Sequence, residues 1–106
     1  MKRGDLMTVA VSGDYGKPRP AMVVQANAFD QHPSVIVLPL TSEIHDAPLF
    51  RVTVAVSGAT GLRVPSQVMV DKATTVPRAK LGARIGRVDA ATIRAVDEAL
   101  RGFLGL

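Results

Sequence analysis

Cysteine is absent from this sequence of 106 residues, which removes disulfides, thiolate nucleophiles and cysteine-held zinc together. Tryptophan is absent too, and Tyr15 is the single tyrosine. No run of Lys or Arg occurs, so a disordered basic tail is excluded and any basic surface must be assembled by folding. Long apolar runs are missing as well. Asp, Pro, Gly or Arg interrupts each of them well short of the length that crosses a membrane. The start, Met1-Lys2-Arg3-Gly4-Asp5, has no apolar stretch behind its charges to serve as a signal peptide, which makes a cytoplasmic protein the expectation. The two histidines, His32 and His45, lack ligand-like spacing and stand beside Pro or Asp. They read as exposed loop residues, and neither a metal nor a cofactor is expected.

What is present begins with charge. Thirteen Lys and Arg stand against nine Asp and Glu, for a net charge of +4 and a sequence pI near 10.1. That balance favours a polyanionic partner. The length suits one domain, 1–106, with a real core and no room for a second.

Punctuation and periodicity divide the chain into short strands. Strands are predicted over 6–11, 19–26, 34–41, 49–56, 66–72 and 83–88, separated by loops rich in Gly, Pro, Asn and Ser. Val35, Ile36, Val37 and Leu38 are continuous rather than alternating, which predicts burial on both faces. Phe50, Val52, Val54 and Val56 alternate with Arg51, Thr53 and Ala55, the pattern of a half-buried strand. The period then changes. Asp89 is a good N-cap, and Ile93, Val96, Leu100, Phe103 and Leu104 recur at helical spacing. The fold class is mainly β with α: a small, strongly bent antiparallel sheet or partial barrel with a C-terminal helix.

Two segments carry the chemistry. Lys17-Pro18-Arg19-Pro20 opens an apolar run, and a second run, Leu38-Pro39-Leu40, ends in Thr41 and Ser42. A guanidinium and a hydroxyl at the ends of neighbouring strands can both reach one phosphate, the first by a two-pronged charged contact. An Arg at a strand start also serves as a solvated edge charge, and strand-end hydroxyls also cap turns. Asp14 either accepts a proton, pairs with Arg19 or is an ordinary turn aspartate. Tyr15 either stacks on a base or covers the edge of the core. Further on, Gln67 has the groups to read a base edge, and Asp71 and Lys72 to contact the ligand or a neighbouring chain.

In order and spacing, these segments resemble the MazF/PemK family of toxin endoribonucleases from type II toxin–antitoxin pairs. The matching features are Lys2-Arg3-Gly4-Asp5, Arg19-Pro20 before a Val-rich strand, and Val37-Leu38-Pro39-Leu40-Thr41-Ser42. Gly61-Leu62, Ser66-Gln67-Val68, Asp71 and Gly86 follow, ahead of the last helix. The resemblance covers nearly the whole chain. It implies a MazF/CcdB-like fold, a homodimer, an acidic cognate antitoxin, and metal-independent, sequence-specific cleavage of single-stranded RNA that stops translation and growth. It puts the catalytic arginine on Arg19 and the catalytic threonine on Thr41. Asp14 stands where many members carry Glu, and Tyr15 replaces a frequent Gln. Lys17, Tyr15, Ser42 and Gln67 are the expected RNA contacts. Two other readings share the fold: a CcdB-like toxin that binds a topoisomerase and cuts nothing, and a member without catalysis that only binds RNA or its antitoxin.

Overall fold

The computed structural model describes residues 1–10 and 17–106. Seven strands run in chain order: β1 (Asp5–Val9), β2 (Arg19–Val23), β3 (Ser34–Thr41), β4 (Arg51–Val54), β5 (Ser66–Met69), β6 (Thr74–Pro77) and β7 (Leu81–Arg87). One helix, α1 (Ala90–Leu104), follows. All pairings are antiparallel, in the order β4-β5-β3-β2-β1-β7, with β6 also on β3.

The bend comes from β3, which at eight residues is the longest strand. Its first half pairs with β6 and its last two residues pair with β5, both on the side away from β2. A 3-10 turn over Val70–Lys72 carries the chain from β5 to β6. A second turn, Arg78–Lys80, then delivers it to β7, which pairs with β1. Strands β6, β3, β2, β1 and β7 therefore curl toward closure.

Strand alternation sorts the side chains into two cores. Met7, Val9, Ala21, Val23, Val35, Val37 and Val76 fill the inside of the curl, with Leu81 packed against them. Leu6, Met22, Leu38, Leu40 and Val68 face the other way and meet Val96 of α1, with Ile93, Ala99 and Leu100 at the margin. Asp89 caps the helix by accepting the Thr92 N–H at 2.8 Å, and Gly105 closes it at φ +72°. Arg3 ties the N-terminal segment down by donating to the Val24 carbonyl and pairing with Asp97 of α1.

Three expectations are corrected. The stretch expected to be one strand to Lys72 stops at Met69, because the chain turns there and presents Asp71 to Arg51 in a two-pronged pair at 3.0 and 3.3 Å. Strand β6 went unpredicted. It is four residues between two turns, and only Val76 of them is buried. Ile36 is exposed although Val35, Val37 and Leu38 are buried. The helix packs on β4 and on the 70–72 turn, so it leaves the start of β3 uncovered on that face. Among the described residues no helix is long and apolar enough to cross a membrane.

Candidate functional site

The register between β2 and β3 decides what meets at their open end. Ala21 lies opposite Pro39, Met22 opposite Leu38, and Val23 opposite Val37. That ladder ends two residues short of Arg19, the first residue of β2, and of Thr41, the last of β3, so the arginine and the threonine stand at the same end of the two strands. Both line a groove of roughly 840 Å³. Ala21, Val37 and Pro39 line it as well, because every second residue of the two strands faces the same way.

The opposite wall is made by the loop after β4. Thr60 is buried and its hydroxyl donates to the Ser57 carbonyl at 3.1 Å, which folds the loop on itself. Gly61 adopts φ +70°, and a Cβ there would meet the Ile85 carbonyl; a Cβ on Gly86 would meet the Thr60 carbonyl. Both positions need glycine for the loop to lie flat on β7. The Arg87 N–H completes the contact by donating to the Ala59 carbonyl at 2.8 Å. That seating buries Leu62 and places Arg63 in the groove wall, while Lys72 arrives from the end of the 70–72 turn.

The charge of the groove is one-sided. Among its described lining residues the ionisable side chains are Arg19, Arg63 and Lys72, three cations with no carboxylate. None of the three pairs with a described acid. Two exposed guanidiniums and an ammonium around a partly apolar floor suit an oxyanion chain. Thr41 Oγ accepts the Glu43 N–H at 3.1 Å. That is the turn-capping contact expected of a strand-end hydroxyl, and it leaves the hydroxyl proton available for donation.

The other residues singled out from the sequence fall differently. Ser42 lines the groove and is exposed. Lys17 is exposed at the approach to it, one residue before Pro18, where the described lining begins. Gln67 lies outside it: its amide is buried, accepts the His45 N–H at 3.0 Å, and donates to the His45 carbonyl at 2.8 Å and to Thr53 Oγ at 3.3 Å. Those bonds hold the loop after β3 and leave nothing free for a base. Asp14 and Tyr15 lie outside the described residues. Arg63 is the groove cation that sequence reasoning passed over; its one signal was the Gly61-Leu62 pair before it, a glycine-set loop bringing a cation with it.

The molecule is thus a curled antiparallel sheet bearing a groove whose described ionisable residues are all cationic, with Arg19 and Thr41 among its lining. The family of the PemK-like, MazF-like toxins of type II toxin–antitoxin systems matches over residues 2–104, and the chain belongs to it. It is 46% identical over 107 residues to the probable endoribonuclease MazF of Mycolicibacterium smegmatis, covering 100% of this chain and 98% of that protein. It is 32% identical over 116 residues to endoribonuclease MazF9 of Mycobacterium tuberculosis, again covering 100% and 98%. Among solved structures, a mycobacterial endoribonuclease in complex with its cognate antitoxin superposes with a TM-score of 0.82 at 26% identity, covering 100% of this chain and 96% of that one.

Proposed function

We propose that this toxin is an endoribonuclease that cuts single-stranded RNA at short sequences by attack of the substrate's own 2′-hydroxyl. The observation that carries the reading is that Arg19 and Thr41 both line one groove whose described ionisable residues are all cationic. Its relatives are named for the same activity.

The step balances without an added reactant. The 2′-oxygen forms a bond to the adjacent phosphorus, the bond to the 5′-oxygen breaks, and a cyclic phosphate and a free 5′-hydroxyl result. The nucleophile belongs to the substrate, so no metal is needed to generate it. Negative charge gathers on the phosphoryl oxygens in the transition state, and donors already in place cost no reorganisation at that moment. Arg19 supplies a planar fork for two oxygens, and Thr41, oriented by the Glu43 N–H, donates to the same group. A guanidinium is a poor base at neutral pH. We assign the 2′-hydroxyl proton to Asp14, five residues before Arg19 in the sequence, and the leaving 5′-oxygen takes its proton from solvent water. Arg63, Lys72 and Ser42 hold the neighbouring phosphates, with Lys17 at the entrance and Tyr15 placed by sequence to stack on a base.

The test is substitution at Arg19. Arg19→Ala abolishes cleavage with unchanged circular dichroism, and Arg19→Lys restores little, because an ammonium keeps the charge and loses the fork. Wild-type cutting by a folded Arg19→Ala protein contradicts the assignment.

The working unit we propose is a homodimer restrained by an acidic cognate antitoxin. Two copies give a longer track than one 11.2 kDa chain offers. An acidic segment competes with phosphate for the groove cations, so its inhibition weakens as salt rises. Cleavage unaffected by bound antitoxin peptide removes this mode of control.

A further inference from the structure

A second cationic cluster lies outside the groove. Asp5 is buried at the start of β1, and one of its carboxylate oxygens accepts from both Arg84 Nε and Arg87 Nη1, each at 3.1 Å. Its other oxygen accepts the Lys2 backbone N–H at 2.8 Å. Two guanidiniums on one carboxylate oxygen are more than the ion pair needs, and they repel each other. With the Lys2 side chain the cluster has three side-chain cations to one anion, net +2, around a concavity of about 470 Å³ lined by these residues and Met1. The arginines are 54% and 40% exposed, and no other described side chain accepts from them. Each guanidinium gives Asp5 one of its five N–H donors and keeps the others.

This concavity and the groove share strand β7. Ile85 lines the groove, while Arg84 before it and Arg87 after it line the second concavity. Arg19 lies opposite Val9 of β1, and Arg84 and Arg87 of β7 lie opposite Met7 and Asp5 of the same strand. At about 4.8 Å per strand and about 3.4 Å per residue the cluster stands about 12–17 Å from Arg19. We propose that Lys2, Arg84 and Arg87 form a second phosphate site, which takes a backbone phosphate of the RNA strand flanking the cut. Asp5 is its positioning residue: it fixes the two forks side by side and cancels one charge of three. The proposal rests on the endoribonuclease reading. A strand that places one phosphate at Arg19 and runs on across β1 brings a phosphate a few nucleotides along to a half-exposed pair of forks.

The experiment uses fluorescent 2′-deoxy oligonucleotides, which lack the attacking hydroxyl, in two lengths: one confined to the groove and one extending past it. Binding is read by anisotropy across a salt series. The Lys2→Gln/Arg84→Gln protein, which keeps Asp5 paired with Arg87, is expected to bind the long oligonucleotide about five- to tenfold more weakly. Its salt slope falls by about 0.7, the value for one lost phosphate contact on a single strand. Affinity for the short one is unchanged. Lys2→Glu keeps the test readable if loss of Arg84 unfolds the protein, because Lys2 meets Asp5 through its backbone. Equal weakening of both lengths, or no change in either, overturns the site. So does loss of poly-glutamate binding by the variant while both oligonucleotides bind as to wild type, which gives the cluster to a protein partner. A wild-type protein that binds both oligonucleotides in this pattern yet never cuts RNA removes the endoribonuclease reading and leaves the second anion site. One that cuts RNA with no length effect from the variants does the reverse.

Discussion

Thr41 and Gln67 face each other across β3 and β5, and they show what one sequence can and cannot say about single residues. Both are polar residues at strand ends in an ordered motif. Thr41 ends at the groove with its proton free, whereas Gln67 is used up on the His45 backbone. The difference is burial, which follows from how the loop after β3 folds back and is not written in either residue's neighbours. Arg19 was legible because prolines flank it and an apolar run follows. Arg63 was not, because its place depends on Gly61 and Gly86 fitting against backbone carbonyls distant in sequence. For Thr41 the account predicts a loss of about 10²- to 10³-fold in kcat on Thr41→Ala, the usual effect of deleting one transition-state donor. Thr41→Ser keeps the hydroxyl and most of the rate. Single-turnover cleavage of a labelled RNA measures both, and a Thr41→Ala enzyme within about threefold of wild type contradicts the role.

The helix, with its strong period, was read correctly, the alternating strand expected over 49–56 shrinks to Arg51–Val54 with Val56 exposed, and β6, set by tertiary pairing, was missed. The final helix announced itself by Asp89 and by the spacing from Ile93 to Leu104. It is found over Ala90–Leu104 with Val96 at its buried centre. Strand β6 has no comparable pattern and exists because β3 offers it an edge. The bend itself follows from β3 pairing with two strands on one side, a register that no local window contains. The helix also bears on assembly. Its end exposes Phe103 and Leu104, and Phe103 shares an apolar groove of about 700 Å³ with Leu49, itself 81% exposed. The third-strand run is a poorer interface, since Val35, Val37 and Leu38 are already buried. The proposed homodimer therefore uses the helix end. Light scattering at micromolar concentration is expected to show two copies for the wild type and one for Leu49→Ser/Phe103→Ser. A dimer that survives the double substitution places the interface elsewhere.

At the scale of the whole molecule, charge is the organising quantity, and its sign was the most legible property of the sequence. Its distribution was not: three cations went to the groove and three more gathered about Asp5. Burial pushes the Asp5 carboxyl up, but the Lys2 N–H and the Arg84 and Arg87 guanidiniums outweigh it and hold it below the ordinary value of 3.8. A carboxylate depressed on folding contributes stability that is fully present above its unfolded pKa, about 3.9, and is lost as pH falls through the lower folded value. Asp5→Asn is accordingly expected to cost about 1–2 kcal/mol at neutral pH, a figure reduced because both arginines remain in solvent. The variant should also show a flatter fall in Tm below about pH 4 than the wild type. Parallel Tm–pH curves for the two proteins contradict this. The central claim is that a cationic groove lined by Arg19 and Thr41 cuts RNA through the substrate's own hydroxyl. It is tested most directly by incubating the purified protein with single-stranded RNA in excess EDTA and identifying the new ends. The account predicts undiminished cleavage that leaves 5′-hydroxyl and cyclic phosphate ends; cleavage that requires a divalent ion, or that leaves 5′-phosphates, contradicts it.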